Sequence, residues 1–266
     1  MRSRTPTIQL ASVVYGDGVA HDDPAETYHE AAKLYPSSAG ASARGIRLLE
    51  QHPELQVSVA RAGRRHSQRR RLPLPEPDWP KVELGRALAA RASASPVPDS
   101  ELSLGELATL ASALNGRWEN GRRTIPSGGA LYPLELYVFA NRVAGVPPGL
   151  YHFDPFQRCL ELLPFDSESL ARALVEPGLA RAPALLAITG VFWRSRFKYG
   201  QRGYRFTLIE AGHAMQNALL TAAALGVASL PIGGYYDSVL DGILGVNGVD
   251  ESAVYLVALG RNGAPS

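Results

Sequence analysis

The chain has one cysteine, Cys159, in 266 residues. A single thiol excludes an intramolecular disulfide framework, and no group of Cys and His stands at zinc-site spacing, so no metal is expected. No apolar run reaches the roughly 18 residues needed to span a bilayer, and no hydrophobic signal core follows the charged start Met1-Arg2-Ser3-Arg4. Charge of one sign is scarce as well. Twenty-seven basic residues against 25 acidic leave a net charge of +2, which gives little reason to expect nucleic acid as a partner. The Gly-x-Gly-x-x-Gly dinucleotide fingerprint is missing too. The expectation is a protein of the reducing cytoplasm, with neither membrane nor nucleic acid as partner.

What remains is ordinary for a globular chain: 45% apolar and 20% charged residues, enough length for a substantial core. Composition divides the sequence. Residues 1–71 carry short helical patterns such as Ala25 to Leu34, and read as an N-terminal extension or small helical region. The segment Leu72 to Pro80 holds four prolines in nine residues, which removes backbone donors and favours an extended linker or clasp. Residues 72–266 form the expected main domain.

Within it the pattern is mixed α and β. Leu104 to Leu114 repeats at helical intervals, and strands are expected at Leu134–Phe139, Leu150–Phe153, Leu160–Leu163, Ala184–Phe192 and Ala253–Leu259. A helix is expected over Phe206–Leu225, stopped by Gly226, with Leu208, Ala211, Gly212, Met215, Leu219, Ala222 and Ala223 as a broad packing face. Cys159 falls in a strand and reads as a small buried hydrophobe.

Three segments carry chemistry. Arg123 to Pro133 contains Pro126-Ser127-Gly128-Gly129, where two glycines let the backbone approach a flat ligand and donate amides to it, though a short glycine motif taken alone reads as a tight turn. Leu230-Pro231-Ile232-Gly233-Gly234-Tyr235 is a second glycine site, and spacing leaves a strand-end turn open. Phe197-Lys198-Tyr199-Gly200-Gln201-Arg202-Gly203-Tyr204-Arg205 runs into Glu210-Ala211-Gly212-His213 and sets an amine beside a phenol.

Together with Gly149-Leu150-Tyr151-His152-Phe153-Asp154-Pro155, these segments resemble the SagB/McbC-type azoline dehydrogenases, FMN enzymes of the nitroreductase superfamily. The resemblance covers most of residues 72–261. It implies an α+β fold with a mixed sheet flanked by helices, in an intertwined homodimer built on the long helix. It implies FMN held by Pro126, Ser127, Gly128 and Gly129, with Ile232, Gly233 and Gly234 presenting an amide to flavin N5. Arg91-Ala92-Ser93 partly matches the family's Arg-Arg-Ser-x-Arg phosphate motif, with Ala92 in the place of the second arginine. Arg91 and Ser93, with Arg261 recruited, are therefore the expected phosphate ligands, since a guanidinium fork donates two parallel hydrogen bonds.

Lys198 and Tyr199 align with the pair the family uses for proton removal. Aromatising a thiazoline or oxazoline takes a hydride from one ring carbon and a proton from its neighbour, so a base is needed beside the flavin. A free phenol titrates near roughly 10 and an amine near about 10.4, so burial or a neighbouring cation such as Arg196 or Arg202 must tune whichever acts. The implied function is oxidation of peptide-borne azolines to azoles in natural-product biosynthesis, with oxygen re-oxidising the flavin. Heterocycle formation and delivery would fall to a cyclodehydratase or carrier-protein partner. A general NAD(P)H-dependent nitro or quinone reductase and a flavin-binding scaffold subunit are the alternatives. Glu210, His213, Gln216 and Asn217 make a polar helix face on which His213 reads as a structural hydrogen-bonding residue. Six arginines between Arg61 and Arg71, without an acidic residue, read as a solvated segment or as a dock for an acidic leader peptide.

Overall fold

Alternating and continuous apolar stretches place most of the strands where the pattern expects them. The computed structural model of the chain describes residues 23–36, 44–52, 54, 55, 58, 63, 66, 68–98 and 100–263, in two units, Met1–Ala41 and Ser42–Ser266. Arg61, Arg64 and Arg65 of the basic cluster lie outside the described residues. In the first unit, helix α1 (Pro24–Ala31) starts where Asp23 accepts the Ala25 amide at 2.7 Å and proline occupies the first turn. The second unit opens with helix α2 (Arg44–Gln51), and the expected domain boundary at 71/72 falls within its first strand.

Seven strands of this unit form one sheet: β1 (Arg71–Pro73), β2 (Leu134–Ala140), β3 (Gly149–Asp154), β4 (Cys159–Leu163), β5 (Ala184–Val191), β6 (Ala228–Ile232) and β7 (Glu251–Gly260), in the order β1-β4-β3-β2-β5-β7-β6. Every pairing is antiparallel, which corrects the expected mixed sheet. The physical reason is connectivity. Parallel neighbours need a crossover connection; here β2, β3 and β4 follow one another as antiparallel hairpins and β6 returns to β7 through a helix, while the other successive strands, β1 and β2, β4 and β5, β5 and β6, are not neighbours in the sheet. The two edge strands each carry a proline, Pro73 and Pro231, where a missing backbone donor costs least and discourages further strand addition.

One face of the sheet is covered by α4 (Leu104–Asn115) and α7 (Gln201–Leu225), which bury Leu107, Leu110 and Met215 against Leu136, Val138, Ile188 and Val257. The other is covered by α5 (Ser169–Ala173) and α8 (Asp237–Leu244), with Leu170 and Leu240 against Phe139, Leu185 and Leu256. Before α4 come the short helix α3 (Leu84–Ala90) and the proline segment, which clasps α4 through Asp78 N donating to Thr109 Oγ1 at 3.0 Å.

The long helix α7 starts at Gln201, five residues before its expected start, because Gly203, a poor helix former by itself, packs its backbone directly against Ser195 and Arg196 of the preceding helix. It ends as expected at Gly226, whose φ of 68° is the left-handed conformation of a helix stop. Its proposed packing face divides: Ala211, Met215, Leu219 and Ala222 are buried within the chain, whereas Leu208 and Gly212 are exposed.

Candidate functional site

Gly200, at φ 56° and ψ −135°, breaks the chain between helix α6 (Phe192–Tyr199) and α7. Lys198 and Tyr199 therefore end a helix rather than sit in a loop, both half-buried. Their polar ends converge on one backbone position. A Cβ at Gly129 would stand 2.6 Å from the Tyr199 hydroxyl and 2.8 Å from Lys198 Nζ. Tyr199 is fixed edge-on against Phe206 with ring centroids 5.0 Å apart, and Lys198 Nζ lies 5.4 Å from the Tyr199 ring centroid. Of the cations expected to tune the phenol, Arg202 lies over Phe206 and Arg196 is exposed.

Gly129 belongs to a short 3-10 turn, Gly128–Ala130, with an unusual backbone. Gly129, Ala130 and Tyr132 have φ of 67°, 55° and 46°, a region that costs L-residues on the order of 1–2 kcal/mol each. Three groups hold Tyr132 against that cost. Its amide donates to Ser127 Oγ at 2.8 Å, its carbonyl accepts from Arg194 Nη1 at 3.3 Å, and its ring lies 4.9 Å from the Arg123 guanidinium. Arg123 in turn donates to Asn115 Oδ1.

Beneath the turn stands Glu210, 3% exposed, hydrogen-bonded to Ser127 and with Oε1 unpartnered. Burial pushes its carboxyl up to about 7, against the opposing pull of Ser127 and of the Arg123 charge. Glu210, Arg123 and Arg194 are site residues that reading by type did not single out. The available signal was the placement of Glu210 one helical turn after Phe206, the ring that faces Gly128.

The expected phosphate ligands form a second set. Arg91 caps α3 and makes no ion pair among the described residues, and Ser93 is exposed. The segment they open is tied to the β6 and β7 ends by Ala94 N donating to the Ser229 carbonyl and Val97 N to the Arg261 carbonyl. Arg261 has its fork on Glu106 at 2.6 and 2.8 Å, and Glu106 is also the partner of Ser103 in the capping box of α4. Ile232 ends β6, and Gly233 and Gly234 follow it exposed, with open space where a Gly233 side chain would be. A guanidinium with no ion pair among the described residues, an exposed serine and an open glycine pair beginning four residues after Ser229 suit a phosphate joined by a short chain to a flat ring, so this set fits FMN.

The arginine end of the second set does not meet the turn within one chain. Glu210, under the Ser127 turn, and Gly226, whose carbonyl accepts from Asn262, are separated by about 24 Å of helix at roughly 1.5 Å per residue. Strand β7 agrees: Val191, bonded to the Pro133 carbonyl, pairs with Glu251 at the opposite end from Arg261.

His213 is exposed, which corrects its reading as a structural hydrogen-bonding residue; it lies off the helix face that buries Glu210. Asn217 bonds the Ala113 and Thr124 carbonyls and steadies the approach to the turn. Cys159 is buried, and burial first, then the charges of Asp154 and Glu161, pushes its thiol up to about 11. It lies with Asp154 and Glu161. Asp154 accepts the Phe156 and Gln157 amides and Glu161 is occupied by His152 and His66, so the cluster reads as hairpin structure. Among the described residues no helix is long and apolar enough to cross a membrane.

Residues 88–261 match the family model described as "Nitroreductase family". A Methanocaldococcus jannaschii protein named as a nitroreductase is 34% identical over 189 residues, covering 70% of this chain and 94% of that protein. The microcin B17-processing protein McbC of Escherichia coli is 36% identical over 127 residues, 44% of this chain and 46% of McbC. In the solved E. coli microcin synthetase McbBCD complex with truncated pro-MccB17, one chain superposes with a TM-score of 0.60 at 23% identity, over 91% of this chain and 95% of that one.

Proposed function

We propose, from the premise that this chain belongs to the nitroreductase family as a SagB/McbC-type member, that it is an FMN-dependent dehydrogenase oxidising peptide-borne thiazolines or oxazolines to azoles. The observation that carries this is the convergence of Lys198 Nζ and Tyr199 Oη over Gly129. Nitro or quinone reduction adds its protons to oxygen, where water can supply them, whereas azoline aromatisation removes a proton from carbon. That step needs a proton-transfer group.

FMN held by Arg91, Ser93 and the Gly233–Gly234 loop would supply hydride acceptance. The chain's own part is to take the ring proton with the amine or the phenol, and to keep that pair fixed by the Tyr199–Phe206 contact so that the proton and hydride leave one oriented ring. Arg91 and Ser93 would hold the phosphate, and Gly233 and Gly234 would border the ring. Because the Lys198–Gly129 set stands at the far end of α7 from Arg91, the reading calls for two copies, each lending the proton-transfer pair to the other's cofactor. The likeness to McbC supports a processed peptide as substrate, with heterocycle formation by partner proteins.

The first test is the visible spectrum of the purified protein mixed anaerobically with a synthetic thiazoline peptide. Bleaching of the flavin with one azole formed per flavin is expected. Bleaching by NADPH alone, with the thiazoline inert, would replace this reading by the general reductase. The two-copy arrangement is tested by mixing inactive Arg91→Ala and Lys198→Ala/Tyr199→Phe proteins. Activity should return in mixed dimers, and a mixture that stays dead argues for sites complete within one chain.

A further inference from the structure

A line of buried charge runs across the α5/α8 face of the sheet and ends on the strained turn. Arg194, 6% exposed, donates Nη1 to the Tyr132 carbonyl and pairs through Nη2 with Glu135 Oε1 at 2.6 Å. Glu135 Oε2 meets His152 Nε2 at 3.0 Å, and His152 Nδ1 meets Glu161 Oε2 at 3.2 Å. Glu161 also accepts the His66 amide at 2.9 Å and forms an ion pair with Arg71 of β1 at 3.1 Å. Glu135, His152 and Glu161 are each 0–1% exposed.

The strand register makes this line. Arg71 pairs with Glu161, Glu161 with His152, and His152 with Tyr137, two residues from Glu135 on the same face. Burying ions is costly unless each is paired, and here cation and carboxylate alternate from the edge strand to the turn. A histidine between two carboxylates completes the alternation only when both ring nitrogens carry protons.

We propose that Arg194, Glu135 and His152 are positioning residues: the buried ionic line from β1 fixes the Tyr132 carbonyl and thereby holds Gly129 under Lys198 and Tyr199. A backbone in the left-handed region at two non-glycine residues persists only where its surroundings over-determine it. Of the three holds on Tyr132, Ser127 and Arg123 lie in the same loop and lean on helices, on Glu210 of α7 and Asn115 of α4. Arg194 is the side chain that ties the Tyr132 carbonyl to a charge of the sheet, one residue before the Pro133 carbonyl that Val191 of β5 holds. Arginine suits the task because its planar fork reaches a carbonyl and a carboxylate at once, which an ammonium cannot do with the same orientation. The catalytic consequence rests on the function proposed above, whereas the structural consequence does not.

The test compares His152→Gln, Arg194→Lys and Arg194→Met with Asp241→Asn. Asp241 is a buried carboxylate on α8 that accepts from Ser252 Oγ and the Ala253 amide and makes no bond to the ionic line or to Tyr132 among the described residues. Hydrogen exchange of residues 128–134 in the holoprotein reads the turn directly, and single-turnover azoline oxidation reads its consequence. Exchange of the Tyr132 amide should quicken at least tenfold in His152→Gln and Arg194→Met, less in Arg194→Lys, and stay within twofold in Asp241→Asn at a matched loss of Tm. The oxidation rate should fall with the exchange order while KM holds. Unchanged exchange in Arg194→Met overturns the proposal. Quickened exchange in a protein that oxidises no azoline leaves the positioning role standing and removes only the function. If His152→Gln does not fold, the two Arg194 variants decide.

Discussion

Adjacent glycines in the same turn should respond oppositely to alanine. At Gly128 an added Cβ meets Phe206 at 3.4 Å and Tyr199 Cε2 at 3.8 Å, ordinary contacts, and the backbone there is not left-handed. Gly128→Ala should therefore change stability by less than about 1 kcal/mol and leave turnover within a few-fold. At Gly129 the methyl would stand 2.6 Å from the Tyr199 hydroxyl and 2.8 Å from Lys198 Nζ, at φ 67°. The left-handed backbone costs about 1–2 kcal/mol, and swinging two side-chain ends aside adds on the order of 0.5–1.5 kcal/mol each. For a chain of this size a loss of about 3 kcal/mol lowers Tm by roughly 6–12 °C, so the protein should still fold. Catalysis should suffer more. The methyl occupies the space in which amine and phenol meet, and a displacement of about 1 Å costs roughly a hundredfold in rate. The assay is anaerobic flavin bleaching by a thiazoline peptide, beside thermal melting and FMN content. Equal turnover in the two variants, or a fully active Gly129→Ala, would refute the assignment of Lys198 and Tyr199.

Glu210→Gln should stabilise the protein. A carboxyl raised from its ordinary range to about 7 favours the protonated fold, so the native advantage is complete below the unfolded value and declines as pH rises through about 7. Above that the buried carboxylate costs at most about 3 kcal/mol, which the amide removes. Melting curves should separate variant from wild type at pH 8 and coincide below pH 4.5, and coincidence at both would contradict the burial argument. At the other set, Arg91→Ala should weaken FMN binding by roughly 10- to 100-fold, as loss of a charge-assisted phosphate contact does. Arg261→Ala should cost less, because its fork is spent on Glu106. Equilibrium binding of FMN by fluorescence quenching ranks the two, and the reverse order would make Arg261 the principal phosphate ligand.

The parts of this fold that were legible in the sequence are those whose signal is local. The Leu134–Ala140 strand, apolar but for Glu135 and the Tyr137 hydroxyl, lies buried on both faces, and Gly226 stops α7 by a conformation that glycine adopts cheaply. The edge strands were not legible. Arg71–Pro73 has three residues and Ala228–Ile232 contains Pro231, so only pairing with β4 and β7 makes them strands. Side-chain convergence is likewise a tertiary fact. Glu135, His152 and Glu161 stand at alternate positions of three consecutive strands, the pattern of a solvated sheet face. They are buried with the rings of His66 and Tyr137 edge-on against His152 and the His66 amide on Glu161, and they are tolerated because the register places each charge opposite its complement. The sequence trace of such a line is one polar residue per strand at matched register, with signs that alternate once the strands are paired. Charge in this chain is thus informative where its net value is not: arginine, glutamate and histidine can stand inside the core to hold a strained turn because each is paired with its neighbour in the line, whatever the balance over the whole chain.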